Sequence, residues 1–126
     1  MSISIKFPNL RVLMINACKS VLNDPNVHVS TNWNDNLGKN EVRVSYLGSS
    51  RYQQLFLSAD YSIDIKANTF IEAEDIGYHL ANELQDYKDR NIADIEIEQF
   101  PIEFGEEGVD AHLRTISVNC IIRPND

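Results

Sequence analysis

The stretch Gln54-Leu-Phe-Leu-Ser-Ala-Asp-Tyr-Ser-Ile-Asp-Ile-Lys-Ala67 alternates polar and apolar residues with a single exception. Leu55, Leu57, Ala59, Tyr61, Ile63, Ile65 and Ala67 fall on one face. Gln54, Ser58, Asp60, Ser62, Asp64 and Lys66 fall on the other, and only Phe56 breaks the rule. Strand side chains point alternately to two faces, so the stretch predicts one long β-strand with a buried face and a wet face. At roughly 3.3 Å per residue it would reach about 45 Å, roughly twice an ordinary strand. Such a strand is expected to outrun the core of a 126-residue domain, so that its end projects and meets another molecule. An assembly part is a better expectation than a free enzyme.

Upstream, Leu10, Leu13, Met14, Ala17, Cys18, Val21 and Leu22 recur at helical spacing. A helix is predicted from about Pro8, a first-turn residue, to Leu22, where Asn23-Asp24-Pro25 stops it. Val12 and Ile15 lie off its main face, so the helix contacts more than one surface. Ser2 to Lys6 reads as a short strand or a loose arm, and Val27 to Ser30 as a short strand. Thr31 to Asn40 is a polar, turn-rich loop carrying the chain's only Trp, Trp33. Val42, Val44 and Tyr46 alternate with Arg43 and Ser45 to give another strand, and Gly48-Ser-Ser-Arg51 reads as a hairpin connection into the long one.

Downstream, Thr69 and Glu72 form a capping-box pattern at the start of a second helix, where Glu72, Glu74 and Asp75 complement the helix dipole. Ala73, Ile76, Leu80, Leu84 and Tyr87 make its apolar stripe, ending near Lys88 and Arg90. Gly77 inside it costs about 1 kcal/mol against Ala, which a close approach of helix to sheet would explain. Ile95 and Ile97 set one apolar phase, then Phe100, Ile102 and Phe104 set the opposite one. A flip beside Pro101 predicts a bulge or an edge strand. Gly105-Glu-Glu-Gly108 turns the chain into a last strand, about His112 to Arg123, with Ile116, Val118, Cys120 and Ile122 buried. The expected fold is α+β: a mostly antiparallel sheet of about four to five strands with two helices packed on one face, all in one domain, residues 1–126.

Composition narrows the function. The hydrophobic fraction of 43% and charged fraction of 24% are those of an ordinary globule. Nineteen acids against eleven bases leave a formal charge of −8. Such a chain is a poor candidate for gripping phosphate backbones, although nucleic acid could pass it without sticking. No apolar run is long enough to span a membrane, and the N-terminus lacks the basic start and apolar core of a secretion signal. A cytoplasmic site of synthesis and folding is the expectation. Cys18 and Cys120 sit in apolar contexts and are expected as buried thiols.

Catalytic motifs are not evident. No glycine-rich phosphate loop, nucleophile elbow or His-Glu-x-x-His occurs, and no cofactor or metal is expected. His28, His79 and His112 are scattered, with only Asp110 near His112. Glu72, Glu74 and Asp75 are explained by helix capping. Glu103, Glu106, Glu107 and Asp110 lack the alternating ligand spacing of a cation loop and read as solvated. Asp60 and Asp64, with Glu96 and Glu98 on another strand, read either as solvated residues or as an acidic surface facing a channel. Trp33 is the best single candidate for an intermolecular anchor, with folding back onto its own domain the alternative. Arg51, Tyr52, Phe70 and Ile71 complete the candidate subunit or partner interface.

From about Leu10 to Pro124 the chain resembles the tail terminator (tail completion, tail-to-head joining) proteins of long-tailed bacteriophages. The carriers of the resemblance are the opening amphipathic helix and the polar loop into Glu41-Val-Arg-Val-Ser-Tyr-Leu-Gly. They continue with Ala59-Asp-Tyr-Ser-Ile-Asp-Ile-Lys-Ala running into a helix with Ala73-Glu-Asp-Ile and Leu80-Ala-Asn-Glu-Leu, and end with Arg114-Thr-Ile-Ser-Val-Asn-Cys-Ile-Ile-Arg-Pro. The resemblance implies a structural virion protein and not an enzyme. It implies a ring, usually a homo-hexamer, that caps the tail tube, ends its polymerisation and offers a surface to the head. Its partners would be itself, the tail tube protein and a head-completion or connector protein, with DNA passing through unbound. Its place would be the head–tail junction of a virion or phage-derived tail-like particle assembled in a host cytoplasm. The competing readings are another neck component, such as a head-closure protein, and a small ligand-binding or enzymatic module built around Glu106, Asp110 and His112.

Overall fold

The long alternating stretch lies in the middle of a five-stranded sheet. A computed structural model describes residues 5–34 and 40–125. The elements run α1 (Leu10–Leu22), β1 (Val27–Ser30), β2 (Asn40–Tyr52), β3 (Phe56–Ala67), α2 (Phe70–Asp86), β4 (Ile92–Phe104) and β5 (His112–Ile122). The sheet order is β1-β2-β3-β5-β4, antiparallel throughout except for the parallel pair β1–β2. The α+β class, the strand number and the placing of both helices agree with the sequence.

Two expectations about the long strand are corrected. It begins at Phe56, not Gln54, because the turn lies at Gln53-Gln54-Leu55 and not at Gly48–Arg51. Gln53 and Gln54 both adopt the left-handed conformation (φ 50° and 67°), which suits the twist of a tight hairpin. Arg51 Nη1 closes the turn on the Gln54 carbonyl at 2.8 Å. Gly48 instead sits in β2 at a bulge after Tyr46, at φ 134°. The second correction concerns the projecting end. β3 is ladder-bonded on both sides, to β2 from Phe56 to Lys66 and to β5 from Leu57 to Ala67, so it has no free edge. The free edges belong to β2 and β4: β1 covers only Asn40–Arg43 of β2, and among the described residues no strand pairs with the outer side of Val44–Tyr52 or of β4.

Both helices cover the face lined by Ala59, Tyr61, Ile63 and Ile65 of β3, where they enclose the core with Met14, Ala17, Cys18, Leu80, Ala81 and Leu84. α1 starts at Leu10, two residues later than expected. Asn9, not Pro8, marks its start, accepting from Arg11 N and Val12 N, and left-handed Asn23 ends it. Thr69 caps α2 by accepting from Glu72 N at 3.1 Å, and the Glu72 carboxylate in turn accepts from the Thr69 hydroxyl and from Asn40 Nδ2. Gly77 is explained by contact: an added Cβ would lie 3.0 Å from Pro101 Cγ and 3.1 Å from Pro101 Cβ. The phase flip in β4 is likewise real. The ladder to β5 shifts register between Ile97 and Gln99 and again between Gln99 and Ile102, on an edge strand. Past the flip, Ile102 and Phe104 stand opposite Thr115 and Leu113, on the face away from the helices.

Candidate functional site

That second face carries the chain's polar chemistry. Successive cross-strand rows read Ser50-Ser58-Ile121-Asp94, Gly48-Asp60-Asn119-Glu96, Ser45-Ser62-Ser117-Gln99 and Arg43-Asp64-Thr115-Ile102. The upper rows are small, neutral or acidic. Asp60 is exposed and accepts from Asn119 Nδ2 at 3.0 Å, and Ser62 meets Thr115 at 3.2 Å. An acidic open surface at Asp60 and Glu96 agrees with the alternation that placed them.

Asp64 does not share it. Expected on the wet face, it is only 7% exposed, because Trp33 and the Glu106 loop close over the lower end of the sheet on a charged network. Arg43 Nη2 donates to Asp64 Oδ2 and to Glu106 Oε1, each at 2.7 Å. Trp33 Nε1 donates to Glu106 Oε2 at 3.0 Å, while the Arg43 guanidinium lies 4.4 Å above the indole and Lys66 Nζ lies 5.1 Å from it. Glu41, 2% exposed, pairs with Lys66 at 2.7 Å and accepts the Asn34 backbone N–H at 2.6 Å. Burial works against the Arg43 charge, but its hydrogen bonds to Glu106 and then Asp64 outweigh that and raise its pKa above the ordinary value. The Arg43 hydrogen bond, with a smaller one from Trp33, holds the Glu106 carboxyl below the ordinary glutamate value.

Trp33 is therefore turned inward onto its own domain, and Glu106 is a structural partner and not a solvated loop acid. Sequence spacing could not reveal this network. Trp33, Arg43, Asp64 and Glu106 come from four segments, and only the strand register and the two loops bring them together.

The remaining interface candidates do not form one patch. Arg51 and Tyr52 lie at the hairpin end of the sheet, while Phe70 and Ile71 open α2 at the other end. Tyr52, Phe70 and Ile71 are exposed, and Phe70 meets the edge of the His112 ring at 6.4 Å. Missed by the alternation is Leu47, the bulge residue midway along β2, 64% exposed, while Leu55 is exposed in the hairpin turn. The break in pattern at Leu47-Gly48 was its signal. A third exposed apolar group lies along the β4 edge, where Tyr78 stacks on Phe100 and Ile102 stands nearby in sequence.

Groups with acid–base or ligating chemistry are already engaged or apart. Cys18 and Cys120 are free, buried thiols, each pushed up to about 12 mainly by burial. His79 bonds the Val21 carbonyl at 3.0 Å. A shallow depression of about 350 Å³ between the end of α1, the start of β1 and the first half of α2 is lined by Leu22, Asp24, Val27, Asp75, Ile76 and His79. Asp24 there already accepts from Asn26 N. Among the described residues no group of three or more His, Cys, Asp or Glu is placed to hold a metal. Among the described residues no helix is long and apolar enough to cross a membrane. No protein-family model matches the chain, and no curated protein matches it.

Proposed function

We propose that the chain is a structural assembly subunit, a tail terminator whose copies, about six, close into a ring on the end of a phage-type tail tube. The observation that carries this reading is the outer edge of β2 from Val44 to Tyr52, unpaired among the described residues, with Leu47 exposed midway along it and Tyr52 at its hairpin end. A bare edge invites pairing with another chain, and a closed ring consumes such edges and then stops growing. Stopping is what a terminator does to a polymerising tube.

The open sheet face suits the same role. In a ring with the helices outward, Asp60, Asp94 and Glu96 among small polar side chains line the channel. Six copies carry roughly −50 in formal charge, so DNA moves past without adhering. The further partners are the tube protein on one rim and a head-completion or connector protein on the other. The function is mechanical, with no reaction to catalyse. Light scattering and native mass measured across concentration test this, together with addition of the protein to elongating tail tubes. The expected result is a ring near six subunits that arrests elongation. A chain that stays monomeric at every concentration and leaves elongation untouched overturns the proposal.

A further inference from the structure

The two lateral sides of this molecule differ in charge as sharply as they differ in topology. α1 carries Arg11 and Lys19 and no acid. Beside it, the free stretch of β2 from Val44 to Tyr52 holds one charged residue, Arg51. At the opposite edge, β4 carries Asp94, Glu96, Glu98 and Glu103 with no Lys or Arg. α2, packed against β4, carries five acids and again no Lys or Arg. The only cations between those two elements are Lys88 and Arg90 in the connecting segment.

The free parts of the two edges also lie at the same height. Through the ladders, Ser50 is level with Asp94, Gly48 with Glu96 and Tyr46 with Ile97. β1 blocks only the lower part of the β2 edge, at the level of Ile102 to Phe104. That is also the level just below the Pro101 bulges, where β4 is least able to pair. The chain directions agree as well. β2 and β4 run in opposite senses, since β4 is antiparallel to β5, β5 to β3 and β3 to β2. Copies related by rotation about an axis along the strands therefore bring β2 and β4 together antiparallel.

We infer that neighbouring copies join side by side, the Val44–Tyr52 edge of one against the Asp94–Ile97 edge of the next, the cationic side meeting the acidic side. The inference rests on the ring reading and names its contact. Edge acids commonly protect a strand from pairing with its like, and here they do so selectively. β4 against β4 sets acid on acid. β2 against β2 sets Arg11 and Arg51 against their own copies and closes a pair, which ends assembly at two. Only the unlike pairing satisfies the charges and leaves a free edge of each kind to propagate round a ring.

Charge exchange tests this. Arg11→Glu with Arg51→Glu, or Asp94→Lys with Glu96→Lys, should each weaken self-association about tenfold, and the four together should restore it to within about threefold. Because Arg51 also closes the hairpin turn, a cysteine pair provides a second measurement. Ser50→Cys is combined in turn with Asp94→Cys and with Glu96→Cys. Within one chain these positions are separated by three strand spacings, about 14 Å, too far for a disulfide. Oxidation should therefore yield covalently linked copies from at least one pair. A ring that forms yet ignores the exchanges, or gives no linkage from either pair, overturns this contact and leaves the ring reading standing. A wild-type chain that never self-associates overturns both.

Discussion

Trp33 lies under one cation, near a second, and hydrogen-bonded to a carboxylate, so the single indole of the chain reports on the latch that closes both loops. The Glu106 carboxyl titrates below its ordinary value of 4.5 because Arg43, and less so Trp33, bind its charged form. A depressed carboxylate lends its stability in full above the ordinary value and loses it as the pH falls through the folded value. Acidification from neutral pH should thus leave Trp33 fluorescence unchanged until below about pH 4.5 and then shift it to the red. In Glu106→Gln that step should be missing, and an unaltered acid transition in this variant would show that another group holds the indole. At this scale the residues were only partly legible. Alternation placed Arg43 and Asp64 on the polar face of their strands, but their adjacency depends on the register Arg43 opposite Asp64, which no single strand encodes. Alternation alone puts Asp64 on the wet face, because nothing local signals that a loop 42 residues further along will cover it.

Elements were more legible than their ends. The period-two pattern of β3, the helical spacing of α1 and α2 and the phase flip in β4 each reflect a face that must be buried, and burial is a local demand on sequence. Their boundaries follow competing local chemistry. Gln53 and Gln54 took the turn that the composition of Gly48 and the serines predicts there, because β2 continues past its bulge, and Asn9 supplied the cap that Pro8 cannot. Gly77 shows a local cost accepted for a tertiary gain. In Gly77→Ala the helix gains about 1 kcal/mol of propensity, while the new methyl presses on the Pro101 ring at 3.0 Å. Overpacking of that kind costs about 1–3 kcal/mol. Urea unfolding should therefore show Gly77→Ala destabilised by about 1 kcal/mol. In a Pro101→Ala background the same change should become stabilising. Equal effects in both backgrounds would place the strain elsewhere.

The whole molecule is an acidic sheet with helices on one face, an open polar face, and unlike lateral edges. Its formal charge of −8 has a direct consequence for nucleic acid. Binding to DNA draws its affinity from cations that release counterions, and the open face offers Asp60, Asp94 and Glu96 in their place. In a mobility-shift assay at about 150 mM salt, duplex DNA should run unretarded at every protein concentration, including those at which the proposed ring would form. Retardation that disappears with added salt would reveal a cationic surface on the assembly and count against an inert channel.

From the order of residues alone came the α+β class, both helices, the buried face of every long strand, the inert thiols and the acidic balance. All of these follow from local periodicity or composition, which neighbours in sequence fix among themselves. Only the tertiary structure decided that β3 is central, that the bare edges are those of β2 and β4, and that Trp33 turns inward. Those outcomes depend on pairing between segments far apart in the chain, where the energy lies in register and in charges brought together, and no stretch of sequence carries that by itself.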